Sequence, residues 1–168
     1  ARCRFGTTTV SFDVSNVTSG VCVSPASSAA STLPFAVTIN GKDEEVLASG
    51  FLYYIIPILS SLNPNGAAVS GGASITVLGT RFQEYADHIV LCRFTPQPDV
   101  TTDSIFVVRA SQVVSGISVV CVAPAVDASG KYKVQVSLVG TKGGFANDTV
   151  NGLRAVGDEW SLRAEFQY

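Results

Sequence analysis

Apolar and polar residues alternate along this chain with the two-residue period of β-strands, and no long segment carries the 3.6-residue period of an amphipathic helix. Tyr132, Val134, Val136 and Leu138 alternate with Lys133, Gln135 and Ser137, which predicts a strand with one buried and one wet face. Phe35, Val37 and Ile39 alternate with Ala36 and Thr38 in the same way. Further β-branched runs predict strands at 74–78, from Ile105 to Val108 and from Ile117 to Val122. Turn signals punctuate them at Asn63-Pro64-Asn65-Gly66, Gly71-Gly72, Ser129-Gly130 and Gly143-Gly144. Phe82 to His88 is the one helix-like stretch and reads as a loop or a single short turn. The expected class is therefore all-β, a sandwich or barrel of short strands.

The pattern repeats. Cys3-Arg4-Phe5 recurs as Cys92-Arg93-Phe94, and Val21-Cys22-Val23-Ser24-Pro25 as Val120-Cys121-Val122-Ala123-Pro124. The strand ending Ile39-Asn40-Gly41 matches the one ending Leu138-Val139-Gly140, and Phe51-Leu52-Tyr53 matches Phe166-Gln167-Tyr168. Four matches in the same order predict two homologous units. The segment from Pro57 to about Leu91 has no counterpart ahead of Cys3. Tyr53-Tyr54-Ile55-Ile56-Pro57 leaves almost no linker, which favours a stiff tandem over beads on a flexible string. The opening, Ala1 to Gly6, reads as the interior of a longer polypeptide.

These residues also carry a resemblance. Pro57-Ile58-Leu59, Leu62-Asn63-Pro64-Asn65-Gly66 and the run from Ser70-Gly71-Gly72 to Gly79-Thr80-Arg81-Phe82 resemble the opening of an IPT/TIG domain. This is the immunoglobulin-like fold shared by plexins and transcription factors. The Cys-Arg-Phe strand, the Val-Cys-Val-x-Pro strand and the closing Phe-x-Tyr are similar to the rest of that pattern. The resemblance implies an immunoglobulin-like β-sandwich in tandem IPT/TIG repeats. Residues 1–53 would be the C-terminal half of a first domain, its N-terminal part missing or supplied by another chain. Residues 54–168 would be a complete second domain, with an unusually long insertion at about 141–159. The fold alone assigns no role.

Composition narrows the classes. Charged residues are 14% of the 168, well below the roughly 25% usual in soluble proteins. Thirteen acids face 11 bases, so the basic excess of a nucleic-acid binder is absent. The longest apolar run, Phe51 to Leu59, contains Pro57 and falls far short of the ~18 residues of a membrane span.

The cysteines and sequons speak to compartment. Four cysteines allow three connectivities, and the repeat favours pairing within each unit, Cys3 with Cys22 and Cys92 with Cys121. Each bridge would close a loop of about 20 to 30 residues and contribute roughly 3 kcal/mol. Zinc has no support, because no Cys-x-x-Cys is present and His88 is the single histidine. Asn16-Val17-Thr18 and Asn147-Asp148-Thr149 are N-glycosylation sequons in segments read as loops. Thr7-Thr8-Thr9 and the Ser27 to Thr32 stretch read as polar loops that could also carry O-linked sugar.

Catalytic chemistry finds no footing. His88 near Glu84 and Asp87 lacks a nucleophile for a triad and reads as a surface loop residue. Asp43, Glu44 and Glu45 read as a charged hairpin tip, and Asp99 and Asp103 lack the neighbouring oxygen ligands of a calcium loop. Trp160 reads first as a cover for the insertion and second as a contact for a sugar or partner. Tyr53, Tyr54 and Tyr168 read as packing between units.

The expected protein is a non-enzymatic structural or adhesive segment of an extracellular, glycosylated fibre or cell-surface stalk of tandem IPT/TIG modules. It needs no cofactor beyond covalent glycans. Its partners would be other copies, or further IPT/TIG domains of the same polypeptide, in a filament or rod, without nucleic acid or direct membrane insertion. The alternative is a spacer in a plexin-like receptor ectodomain that binds a protein ligand.

Overall fold

Every described element is a β-strand. A computed structural model describes residues 1–85, 88–102, 104–114, 116–141 and 164–167, and the chain divides into two units, Ala1–Ile55 and Ile56–Tyr168. Unit 1 holds β1 (Arg2–Phe5), β2 (Thr8–Ser11), β3 (Asp13–Asn16), β4 (Ser19–Val21), β5 (Ser31–Thr38) and β6 (Glu45–Tyr53). Unit 2 holds β7 (Ile58–Asn63), β8 (Ser74–Thr80), β9 (His88–Pro96), β10 (Phe106–Arg109), β11 (Gln112–Val114), β12 (Ser118–Val122), β13 (Lys131–Thr141) and β14 (Ala164–Gln167). Among the described residues no helix is long and apolar enough to cross a membrane.

Unit 2 is built from two antiparallel four-stranded sheets, ordered β11-β12-β8-β7 and β10-β9-β13-β14. This is the immunoglobulin-like layout of two sheets with their apolar rows turned inward. Ile75, Val77 and Val119 come from the first sheet, and Phe94, Tyr132, Val134, Val136 and Leu138 from the second; none is exposed. Phe94 meets Phe166 of β14 edge to face at 5.9 Å. A second small cluster of Ile89, Leu91 and Val107 forms on the other face of β9 and β10. It explains a departure from the predicted wet face of β13. Ser137 pairs with Leu91 across β9–β13, shares that apolar face, and is fully buried.

Local chemistry sets the connections. Gly71 stands at φ +69°, where a Cβ would come within 2.6 Å of the Pro124 and Ala125 backbone, so the turn admits only glycine there. In unit 1, Pro34 sits within β5 at a register shift against β6, the place where a strand tolerates a missing N–H. Its carbonyl still accepts from the Gly6 amide at 2.8 Å.

Unit 1 has one four-stranded sheet, ordered β2-β1-β5-β6, and a separate two-stranded ribbon of β3 and β4. Its inner face is aromatic. Phe5 packs against Phe35 and Phe51, both at 4.9 Å between ring centroids, and Tyr53 stands edge-on to Phe51 at 5.1 Å. The Tyr53 hydroxyl donates to the Pro25 carbonyl at 2.9 Å. That bond lies inside unit 1, where the sequence had suggested packing between units.

Candidate functional site

The two disulfides are the clearest constructed feature. Cys3 lies in β1, and Cys22 follows β4, so their bond ties the ribbon to the four-stranded sheet across 6.4 Å between Cα atoms. Cys92 in β9 and Cys121 in β12 join the two sheets of unit 2 across 6.5 Å. Both clips are thus fastened to the same cysteine-bearing motifs that repeat in the sequence. The ribbon needs its clip more, because an isolated two-stranded hairpin is marginal in water. Every residue of β3 is exposed, and Val17 at the tip is wholly so.

Asn16 stands at the last position of β3, at the ribbon's tip, and not in the loop the sequence suggested. Asp13 to Gly20 is too polar to announce a strand by alternation. The Thr18 amide and the Thr18 hydroxyl both donate to Asn16 Oδ1 at 2.8 Å. The sequon's first and third residues are therefore already folded onto each other, with the side chain exposed to solvent. Asn147, Trp160 and Tyr168 lie outside the described residues, as does the expected insertion beyond Thr141.

Other candidates change character. His88 opens β9 and is half-buried instead of lying in a surface loop. Thr8 and Thr9 belong to β2, and Ser31 and Thr32 to β5, so neither polar stretch is wholly loop. Asp43 and Glu44 do form the tip between β5 and β6, with Glu45 opening β6. Glu44 accepts from Arg4 Nε and Nη2, the latter at 2.6 Å, which ties the tip to β1. The Arg4 guanidinium holds the Glu44 carboxyl below the usual carboxylate range. The Asn40 side chain shapes the same turn, accepting from the Lys42 and Asp43 amides at 2.9 Å and donating to Asp43 at 2.6 Å.

Two structural contacts escaped sequence reasoning. The first is the Arg4–Glu44 pair, forty residues apart and without a local signal. The second is Tyr132, whose hydroxyl donates to the Ala128 carbonyl at 3.0 Å. A tyrosine at a strand start bonded to the backbone just upstream is the tyrosine corner of immunoglobulin-like sandwiches. Its signal was present as a tyrosine two residues after the Ser129-Gly130 turn.

Among the described residues, no three His, Cys, Asp or Glu side chains gather as a metal site. Two depressions of unit 1 are shallow. One is bordered by Val37, Ile39, Asn40 and the acidic tip, another by Thr32 to Pro34 and Val46 to Gly50. Neither brings a base to a nucleophile.

The IPT/TIG domain profile matches residues 57–151, which spans β7 to β13 and more than half of the chain. The chain belongs to the IPT/TIG family. No curated protein matches it. The IPT/TIG assignment explains the two-sheet layout of unit 2 and gives that unit an interaction or structural role, since IPT/TIG domains are generally non-catalytic immunoglobulin-like modules. The matched IPT/TIG stretch also contains the disulfide between Cys92 and Cys121.

Proposed function

We infer that this chain is a non-enzymatic structural or adhesive segment of an extracellular, glycosylated fibre or cell-surface stalk made of tandem IPT/TIG modules. One observation carries the reading: unit 1 repeats the registers of unit 2. Cys3 stands opposite Val37 and Phe5 opposite Phe35, as Cys92 stands opposite Val136 and Phe94 opposite Val134. Leu33 opposite Phe51 matches Tyr132 opposite Phe166. Strands placed so alike, each clipped by a disulfide to a following segment, support one module used twice and coupled with little linker. Disulfides belong to oxidising compartments, which supports an extracellular setting. The exposed Asn16 at a ribbon tip supports glycosylation there, and Asn147 is the second candidate.

Intact-mass measurement of the protein from its native source tests the compartment. We expect a gain of two hydrogens per bridge on reduction and a loss of mass on glycosidase treatment. Free thiols together with unmodified Asn16 and Asn147 would rule the reading out. Electron microscopy tests the assembly: filaments with a regular axial repeat support the fibre, and a monodisperse monomer with a soluble ligand supports a receptor spacer.

A further inference from the structure

The chain holds three Asn-Gly pairs, beginning at Asn40, Asn65 and Asn151. The last lies outside the described residues. An asparagine followed by glycine is chemically vulnerable. The next backbone nitrogen can close on the side-chain amide, and glycine puts no Cβ in its way. By sequence the pairs are alike; by structure the two described ones differ.

Asn40-Gly41 is held on both reacting groups. Asn40 Oδ1 accepts from the Lys42 and Asp43 amides, each at 2.9 Å, and Nδ2 donates to Asp43 Oδ2 at 2.6 Å. The Gly41 amide, which would have to attack, donates instead to Thr38 Oγ1 at 3.0 Å. To react, the carboxamide must give up its bonds to Lys42 and Asp43, and the Gly41 proton must be taken from a partner it already has. Reaching an attack geometry therefore costs hydrogen bonds that the folded tip supplies. The hold also protects the Arg4 tie. An isoaspartate at position 40 would lengthen the backbone of the turn that presents Glu44 to Arg4. Asn65 has no such hold. It is exposed in the connection between β7 and β8, and among the described residues its side chain makes no hydrogen bond.

We propose that Asn65-Gly66 is a spontaneous deamidation site of this protein, and that Thr38 and Asp43 guard Asn40-Gly41 against the same reaction. The Gly66 nitrogen attacks Asn65 Cγ. The N–Cγ bond forms, the Cγ–Nδ2 bond breaks, and the amide proton leaves with Nδ2 as ammonia. Water, the co-reactant, then opens the cyclic imide to aspartate or isoaspartate, with no oxidant or reductant involved. Either product adds a carboxylate next to a sheet whose strands β7, β8, β11 and β12 contain no charged residue. The conversion is cumulative, so the converted fraction at Asn65 records the age of the molecule.

The test incubates the full oxidised chain in neutral buffer and reads the Asn40 and Asn65 peptides of one digest by mass spectrometry. Asn40 should convert at least about tenfold more slowly than Asn65. In the reduced chain unfolded in urea, the two rates should converge. Thr38→Val and Asp43→Ala should each speed Asn40 by about threefold or more and leave Asn65 unchanged. Thr38→Ser keeps the hydroxyl and should behave as the parent. Amide exchange in β1 and β5 reports whether each variant keeps its fold, and the comparison of native with urea-unfolded chain needs no variant. Equal rates at the two sites in the folded chain would overturn the proposal, as would an Asn65 that stays intact. Faster reaction at Asn40 would show the two amides on Oδ1 acting as an oxyanion hole and would overturn it as well. An Asn40 rate unmoved by folded Thr38→Val and Asp43→Ala variants would overturn the guard assigned to those side chains.

Discussion

Tyr132 concentrates several constraints in one side chain. Its ring is fully buried, its hydroxyl donates to the Ala128 carbonyl at 3.0 Å, and its backbone pairs with both Pro96 and Phe166. Tyr132→Phe keeps the ring and removes the donor, leaving a part-buried carbonyl short of a partner. We expect unit 2 to lose about 1–2 kcal/mol in urea denaturation. Burial, and after it the Asp127 carboxylate, push the Tyr132 phenol above its ordinary value. The sign follows from linkage: the contribution is complete below about pH 10 and is lost as pH rises through the raised value. Tyr132→Phe should therefore flatten the alkaline loss of stability, and an unchanged alkaline limb would contradict the assignment. At this scale the sequence made the cysteines legible, because they recur in matching motifs. It could not reveal the Arg4–Glu44 pair, which depends on how the β5–β6 tip folds back to β1.

The strands were legible where alternation was strong, as in β5 and β13, and where β-branched residues ran together, as in β8 and β12. They were illegible where polar residues fill both faces. β3 and β4 run through Asp13, Ser15, Asn16, Ser19 and Gly20, and only pairing and the Cys22 clip reveal them as strands. Alternation misled at Ser137, assigned to water but buried beside Leu91, and at the end of the Phe35 to Ile39 row, where Ala36 is buried and Ile39 exposed. A second apolar face, supplied by Ile89, Leu91 and Val107, cannot be seen from one strand's own period. The disulfides give this scale its prediction. Replacing Cys92 and Cys121 together by Ala removes a link between sheets at a sequence separation of 29 residues. We expect a loss of about 3 kcal/mol in unit 2 by loop entropy, with the strand registers retained in amide exchange. A change well below about 1 kcal/mol would mean that sheet packing alone holds β9 to β12.

Across the whole molecule the two units differ in how much apolar surface they close over. Among the described residues, the buried apolar set of unit 1 is Cys3, Phe5 and Ala36, whereas that of unit 2 runs from Ile75 to Phe166 and draws on both sheets. Few side chains of unit 1 are buried, and its aromatic row is only half covered. Its stability then leans on the bond between Cys3 and Cys22, which fastens an otherwise exposed ribbon. The chain should accordingly unfold in two transitions and not one. In urea with disulfides intact, amides of β1 and β5 should exchange through a lower-energy opening than those of β9 and β13. Reduction should widen the gap, because unit 1 loses its clip while unit 2 keeps two packed sheets. Amide exchange followed across a urea series reads both units in one experiment. Coincident transitions before and after reduction would show that unit 1 borrows its stability from contacts beyond its own strands.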